Sequence, residues 1–341
     1  MRAITCDSCG SKGCNAIIQN LTWCYKQNGI VREFKYDLFV CVNCGMGFVA
    51  PTPKWDEVQS FYPSDYRPYQ LNLDMVKREA RSLKYKIARL RYVGLMHPTF
   101  KNYVISALAA FVELCSGRII TYTLGIPLNL QRGAHIMDLG CGSGNWLLAM
   151  KKLGYTNLEG YDIDANKSCI STLTTEGIKI TSGRFLENNY SHSSYDLIRL
   201  EHVVEHLPHP LPILSKIAQL LNKNGYLVMN LPSIQTLFFS GCSKEQIMDK
   251  AKNWYNLQIP KHLYFHTKLS VFNYLNNAGF DIIGLRLYGV PNVLGASINN
   301  VLKGTINIPA FLVNGLGPFY TLVSAVANKG DSITVIAKVK S

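Results

Sequence analysis

The 341-residue sequence predicts an α/β protein with a seven-stranded, largely parallel sheet flanked by helices and a small cysteine-rich module at its N-terminal end. Three observations carry that reading. From Ala134 onward, short apolar runs alternate with helical patterns, as βαβ units do. The first of these runs ends in a turn with glycine at alternate positions, Gly140-Cys141-Gly142-Ser143-Gly144, followed at once by an apolar helix. Two Cys-x-x-Cys-Gly knuckles, Cys6 to Gly10 and Cys41 to Gly45, lie ahead of all this.

Composition divides the chain into residues 1–68, 69–131 and 132–341. In the first part, Cys6, Cys9, Cys41 and Cys44 offer the four thiolates that tetrahedral zinc requires, at the spacing a zinc ribbon uses. Cys14 and Cys24 are left over, and an aromatic-proline stretch with Tyr62, Tyr66 and Tyr69 closes the module. The second part reads as helical: Val76, Ala80, Leu83, Ile87 and Leu90 make one apolar face, and Lys77, Arg78, Arg81, Lys84, Lys86, Arg89 and Arg91 crowd the others with only Glu79 to oppose them. In the third part, strands are expected at 134–139, 158–161, 178–181, 195–200, 225–231, 281–288 and 332–339. A stretch without charge, 304–328, precedes the last of these. Pro309, Gly315, Gly317 and Pro318 interrupt it, so it reads as a buried or lid-forming insertion in preference to a membrane span, with interfacial contact as the second reading.

Apolar residues make up 48% of the chain and charged residues 17%, which excludes global disorder and supplies a sizeable core. Lysine and arginine number 35 against 22 acidic residues, a net charge of +13, so an anionic partner is expected: a phosphate-bearing substrate, an anionic membrane surface or nucleic acid. Met1 to Gly10 shows no charged segment followed by an apolar run, so a cytoplasmic setting is expected, in which the ten cysteines serve metal ligation or burial before disulfides.

Glycines in a strand-to-helix turn let the backbone approach a ligand, and the helix N-terminus favours anionic or polar groups. The Gly-x-Gly-x-Gly spacing differs from that of dinucleotide pockets, and Asp162 ends the second strand, placed to accept both hydroxyls of a ribose. Here the chain resembles class I S-adenosylmethionine-dependent methyltransferases over about 133–340. The resemblance implies a Rossmann-like methyltransferase sheet and a cofactor pocket made by Asp138, Gly140, Cys141, Gly142, Gly144, Asp162, Ile163, Phe185 and Glu201. In it Asp138 bonds nearby backbone, Asp162 holds the ribose and Ile163 flanks the adenine. The acidic residue that the family often places after the third strand is missing. Either Phe185 packs on the adenine ring or a backbone group does the hydrogen bonding.

The fourth strand runs into Glu201-His202-Val203-Val204-Glu205-His206, at the crevice end of the sheet. This stretch resembles the Glu-x-x-Glu-His motif of ubiquinone-biosynthesis O-methyltransferases, which the family carries at a bound divalent cation. His202 stands in the first position, leaving His202, Glu205 and His206 as a second candidate cation site. The bland alternative is that Glu205 and His206 only cap and orient the crevice. The Asn-Pro-Pro-Tyr of adenine amino-methyltransferases does not occur after this strand. Further on, Pro260-Lys261-His262-Leu263, followed by Ala278-Gly279-Phe280, resembles the Pro-Arg-His-Leu segment of a bacterial methyltransferase group found in polysaccharide and natural-product pathways, which also has a zinc-binding cap. His262 is the first candidate general base and His206 the next, with a structural histidine as the competing reading. The function expected is methylation of a small-molecule or glycan acceptor, at oxygen. An RNA or protein methyltransferase is the first alternative, with nucleic acid the less favoured partner, and a non-catalytic cofactor- or partner-binding scaffold is the second.

Overall fold

The computed structural model describes residues 4–27, 30–62, 104, 108, 130–152, 154–163, 167–188, 190, 194–242, 244–302, 309, 319–320, 323–324 and 326–340. The basic helix expected at 76–91, Tyr66 and Tyr69, and most of the uncharged stretch 304–328 lie outside these residues.

The N-terminal module is built on a long hairpin, β1 (Cys14–Gln27) and β2 (Ile30–Cys41), with Gln27 paired to Ile30. Asn28-Gly29 falls between those paired ends, and Asn-Gly is the sequence signal for a two-residue hairpin connection. Strand β3 (Gly47–Ala50) pairs antiparallel with β2, and helix α1 (Trp55–Ser60) follows.

The main sheet opens with β4 (His135–Leu139), then α2 (Asn145–Lys152), β5 (Asn157–Asp162), α3 (Lys167–Thr175) and β6 (Lys179–Ser182). It continues with β7 (Tyr195–Glu201), α4 (Pro210–Leu220) and β8 (Leu221–Pro232). After α5 (Lys244–Ala251) comes the two-residue strand β9 (Tyr264–Phe265), then α6 (Lys268–Asn277), β10 (Phe280–Tyr288), α7 (Pro291–Val301) and β11 (Ser332–Val339). All seven expected strands are present within a few residues. The strand order is β10-β11-β8-β7-β4-β5-β6. Strands β8, β7, β4, β5 and β6 run parallel, and β11 is antiparallel to both β8 and β10.

Strand β9 belongs to the other sheet, whose order is β1-β2-β3-β9. A segment from the far end of the sequence thus completes the cysteine module. The knuckles also lean on α6: Thr267 Oγ1 donates to the Cys44 carbonyl at 2.7 Å, and Ser8 Oγ donates to the Ser270 carbonyl at 3.1 Å. Apolar burial follows the same path. One continuous core holds Met46, Phe48 and Phe61 of the module together with Leu200, Leu214, Phe265 and Leu275. Among the described residues, no helix is long and apolar enough to cross a membrane.

Candidate active site and cysteine cluster

The parallel strands end together at one edge of the sheet, and there the glycine turn opens a cavity of about 570 Å³. Gly140 and Gly144 adopt φ of +78° and +74°. A side chain at Gly140 would strike Val203, and one at Gly144 would strike Leu173, so conformation and space both demand glycine. The amides of Gly140 and Cys141 both donate to the Tyr161 carbonyl, at 2.7 and 3.0 Å. Asp162, 5% exposed, accepts the Gly142 amide on Oδ2 at 2.8 Å. One carboxylate oxygen therefore fixes the turn while the residue lines the cavity beside Gly142, Ile163, Gly183 and Phe185. Phe185 stands edge-on to Tyr161 with ring centres 5.3 Å apart, and Asn188 donates to the Tyr161 hydroxyl at 2.7 Å. The pocket offers a buried carboxylate, a backbone turn closed to side chains and an apolar wall, groups suited to a ligand that carries both hydroxyls and a flat ring.

Beneath the turn lies a group that sequence reasoning missed. Arg199, 6% exposed, donates to Asp138 Oδ1 and to Glu201 Oε2, both at 2.9 Å, and its guanidinium sits 4.5 Å from the centre of the Trp146 ring. Asp138 was expected to bond backbone. Its buried carboxylate takes the arginine instead, because burial pushes its pKa up and only a nearby cation opposes that. Glu201 is held at its other oxygen by Asn230 Nδ2 at 2.8 Å, and Asn230 by Tyr288. Arg199 sits within the apolar run of β7, a charge in a buried strand, and nothing in the local pattern named its partners.

The far wall of the cavity is histidine-rich. His202 follows β7 directly and has a φ of +53°, a left-handed conformation rare for a residue with a side chain. Its Nδ1 donates to Glu205 Oε1 at 2.9 Å. Glu205 is fully buried; burial pushes its pKa up, but the His202 bond and the surrounding imidazoles hold it at about 2. Glu205 Oε2 has no hydrogen-bond partner. In His202, burial works against the charged form, and the bond to Glu205 outweighs it and raises the pKa.

His206 Nδ1 lies 2.8 Å from the Lys261 carbonyl and 2.8 Å from the Tyr62 hydroxyl. A carbonyl only accepts, so Nδ1 carries the proton. His262 is arranged alike, with Nδ1 2.7 Å from the Asn256 carbonyl. Burial lowers the pKa of both rings, that of His262 to about 3, so both are neutral at physiological pH. Their ring centres are 4.9 Å apart, and both line the cavity. The Leu263 amide donates to the Glu205 carbonyl at 2.7 Å, which ties the late motif to the turn after β7. Lys261 contributes its carbonyl here. The donor atoms of Glu205, His206 and His262 lie within 4.8 Å of one another; His202 stands behind Glu205. Trp55, Val58, Tyr62, Leu207, Val290 and Val293 make the apolar part of the wall.

Away from the cavity, Cys6, Cys9, Cys41 and Cys44 bring their sulfurs within 4.8 Å of one another. The Cys6–Cys44 and Cys9–Cys41 separations are 3.6 Å, against about 3.8 Å for neighbouring ligands on a tetrahedral ion with Zn–S bonds of about 2.3 Å. Gly10 and Gly45 donate back to the carbonyls of Cys6 and Cys41 at 2.9 and 3.0 Å, closing each knuckle. Contact with Cys6 pulls the Cys44 thiol down to about 7, toward the thiolate that a metal needs. The four residues fit a zinc ion. Cys14 lies beside them, its thiol pushed up to about 11 by burial and the neighbouring sulfurs.

Comparison with known proteins agrees with this geometry. Residues 107–285 match a family described as a methyltransferase domain. A demethylmenaquinone methyltransferase of Bacillus licheniformis is 25% identical over 144 residues, 40% of this chain and 61% of that protein. A ribosomal protein L11 methyltransferase of Cupriavidus necator is 31% identical over 103 residues, 30% of this chain and 33% of that protein. The chain thus spans 61% or less of these two relatives' lengths. Phosphoethanolamine N-methyltransferase 2 of Haemonchus contortus, solved with S-adenosyl-L-methionine, aligns at 14% identity and a TM-score of 0.43, over 65% of this chain and 51% of that one. The family match covers more than half of the sequence, and the chain belongs to that methyltransferase-domain family.

Proposed function

We propose that this methyltransferase transfers the methyl group of S-adenosylmethionine to a hydroxyl oxygen of a small-molecule or glycan acceptor, in polysaccharide or secondary metabolism. One observation carries the reading: a single cavity joins Asp162 and the glycine turn on one side to His206 and His262 on the other. Bound S-adenosylmethionine supplies an electrophilic methyl group on a sulfonium. Asp162 and the glycine turn hold its ribose and methionine parts. His206 and His262 face the acceptor as neutral imidazoles whose lone pair accepts the hydroxyl proton in a hydrogen bond, aligning the oxygen for in-line displacement. As the new O–CH₃ bond forms, the S–CH₃ bond breaks and its electron pair stays on sulfur. The proton leaves through the imidazole; His262, with its pKa near 3, relays that proton to water and does not retain it. The apolar wall of Trp55, Val58, Tyr62 and Val293 excludes water and suits the apolar portion of an acceptor.

The cysteine cluster, in this reading, binds one structural zinc that braces β3 and β9. The net charge of +13 supports an anionic acceptor, with peripheral contact to an anionic membrane surface through the basic segment 77–91. The test is methyl transfer from labelled S-adenosylmethionine to a panel of phenols, sugar nucleotides and lipid-linked glycans, with ribosomal RNA and ribosomal protein as competing arms. Label in an oxygen-linked methyl group of a small acceptor, lost in His262→Ala, is the expected result. Label only in RNA or protein would replace the reading, and cofactor binding without transfer to any class would favour the scaffold.

A further inference from the structure

We propose that Glu205, His206 and His262 form a divalent-metal site at the acceptor wall of the cavity, a two-histidine, one-carboxylate set that draws its third ligand from the late segment around Pro260. The argument begins with what these side chains have already spent. Both imidazoles give Nδ1 to a backbone carbonyl, His206 to Lys261 at 2.8 Å and His262 to Asn256 at 2.7 Å. That fixes one tautomer and leaves Nε2 as the unprotonated nitrogen, the arrangement in which histidines serve as ligands. Glu205 is fully buried and gives Oε1 to His202, while Oε2 has no hydrogen-bond partner. An orphaned carboxylate oxygen inside a protein is costly unless something positive meets it.

The three donor atoms lie within 4.8 Å of one another. Neighbouring ligands on a zinc-like ion sit about 3.0–3.4 Å apart, so closing on a cation takes a contraction of at most about 1.5–2 Å, within reach of side-chain torsions. His202 then has a defined part: it is the hydrogen-bond partner that orients the ligating carboxylate. The position it occupies in the motif is not the position of a ligand in space. Two imidazoles and a carboxylate suit a borderline divalent cation such as zinc, and three protein ligands leave a fourth position open. That position faces the cavity which His206 and His262 line. With the cation bound, the Nε2 lone pairs would be committed to it and could not accept the acceptor's proton; the cation would take over that part by making a hydroxyl in the open position acidic enough to give its proton to water. This last step rests on the methyl-transfer reading above; binding of the metal does not.

The test is equilibrium dialysis of the full chain against micromolar zinc, with total metal measured per chain. The wild type is expected to hold a second equivalent beyond that of the four cysteines. His262→Ala and Glu205→Gln should each weaken that second equivalent at least tenfold and spare the first; Cys41→Ser should do the reverse. Cobalt in the second site should give an absorption spectrum without thiolate charge transfer. Calorimetry with S-adenosylhomocysteine checks that each variant retains its cofactor pocket. A wild type with no metal beyond the cysteine equivalent overturns the site, as does a second equivalent that survives both His262→Ala and Glu205→Gln. Cofactor binding and methyl transfer that persist without the second metal would leave the proposed function standing while this inference falls.

Discussion

Replacing Asp162 by alanine removes two things at once, and their sizes can be worked out separately. The first is the acceptor for the Gly142 amide, a bond of 2.8 Å in a residue only 5% exposed. A hydrogen bond to a charged group contributes about 1.5–3 kcal/mol, and part of that returns when water reaches the freed amide. The loss in folding stability is therefore about 1 kcal/mol, a shift of a few degrees in melting temperature for a domain of this size. The second is the carboxylate that the proposed function assigns to the ribose hydroxyls of the cofactor. Losing it should cost about 2–4 kcal/mol of binding, or roughly 30- to 700-fold in affinity. Titration calorimetry with S-adenosylhomocysteine reads the second effect and thermal denaturation of the free protein reads the first. Asp162→Asn, which keeps the size and one acceptor, should fall between the wild type and alanine. Unchanged affinity in a folded Asp162→Ala protein would refute the placement of the cofactor on this turn.

Arg199→Met should destabilise the protein by about 3–5 kcal/mol in chemical denaturation, because it leaves the buried Asp138 carboxylate without its cation; a change below about 1 kcal/mol would mean that Asp138 is neutral in the fold. Glu159 is subject to burial, which raises its pKa, but bonds from His135, Lys179 and Tyr195 hold it at about 2 against an ordinary 4.5. Its carboxylate therefore stabilises the fold above about pH 4.5, and that contribution, no more than about 3 kcal/mol, is lost as the pH falls toward 2. Glu159→Gln should flatten that acid limb, and equal slopes in urea titrations across this window would reject the account. Cys41→Ser should release the zinc bound by the wild type and raise amide exchange in Gly47–Ala50 and in Tyr264–Phe265 together, as judged by metal analysis and hydrogen exchange. Flotation with anionic vesicles should retain the wild type at low salt, and changing Arg78, Arg81, Arg89 and Arg91 to glutamine should release it; a wild type that never floats would move the excess positive charge to the acceptor pocket.

What the sequence made legible is what repeats locally. The seven strands of the main sheet follow from apolar runs of strand length, and the glycine turn and Asp162 could be picked out as a pair because they lie one βα unit apart and bond to each other at the cavity. The paired knuckles were readable for the same reason, since each closes on itself. The rest depends on chain segments far apart. Arg199 could be placed on β7, but its role is set by Asp138 on the neighbouring strand β4. Strand β9 is two residues long and has no periodicity to detect; only its pairing with β3 makes it a strand. The long hairpin β1–β2 was also left unread, although Asn28-Gly29 announced it.

The position of β9 also explains why a cysteine module should accompany this active site. Only Leu263 separates His262 from β9, and the neighbourhood of His262 is held from two directions. From the main sheet, Glu205 receives the Leu263 amide and the Lys261 carbonyl receives His206. From the module, Val49 donates to the Leu263 carbonyl at 2.9 Å, Phe48 pairs with Tyr264, and Thr267 holds the carbonyl of Cys44. Leu263 is thus bonded through its amide to the turn after β7 and through its carbonyl to the cysteine sheet. A ligand or base must be held within about half an ångström to act, and a loop between two helices does not supply that by itself. Four thiolates drawn onto one ion would fix Cys41 and Cys44 at the two ends of the turn between β2 and β3, and with them the strand that aligns β9. The metal at the knuckles would then act on catalysis through a chain of backbone bonds, without touching cofactor or acceptor.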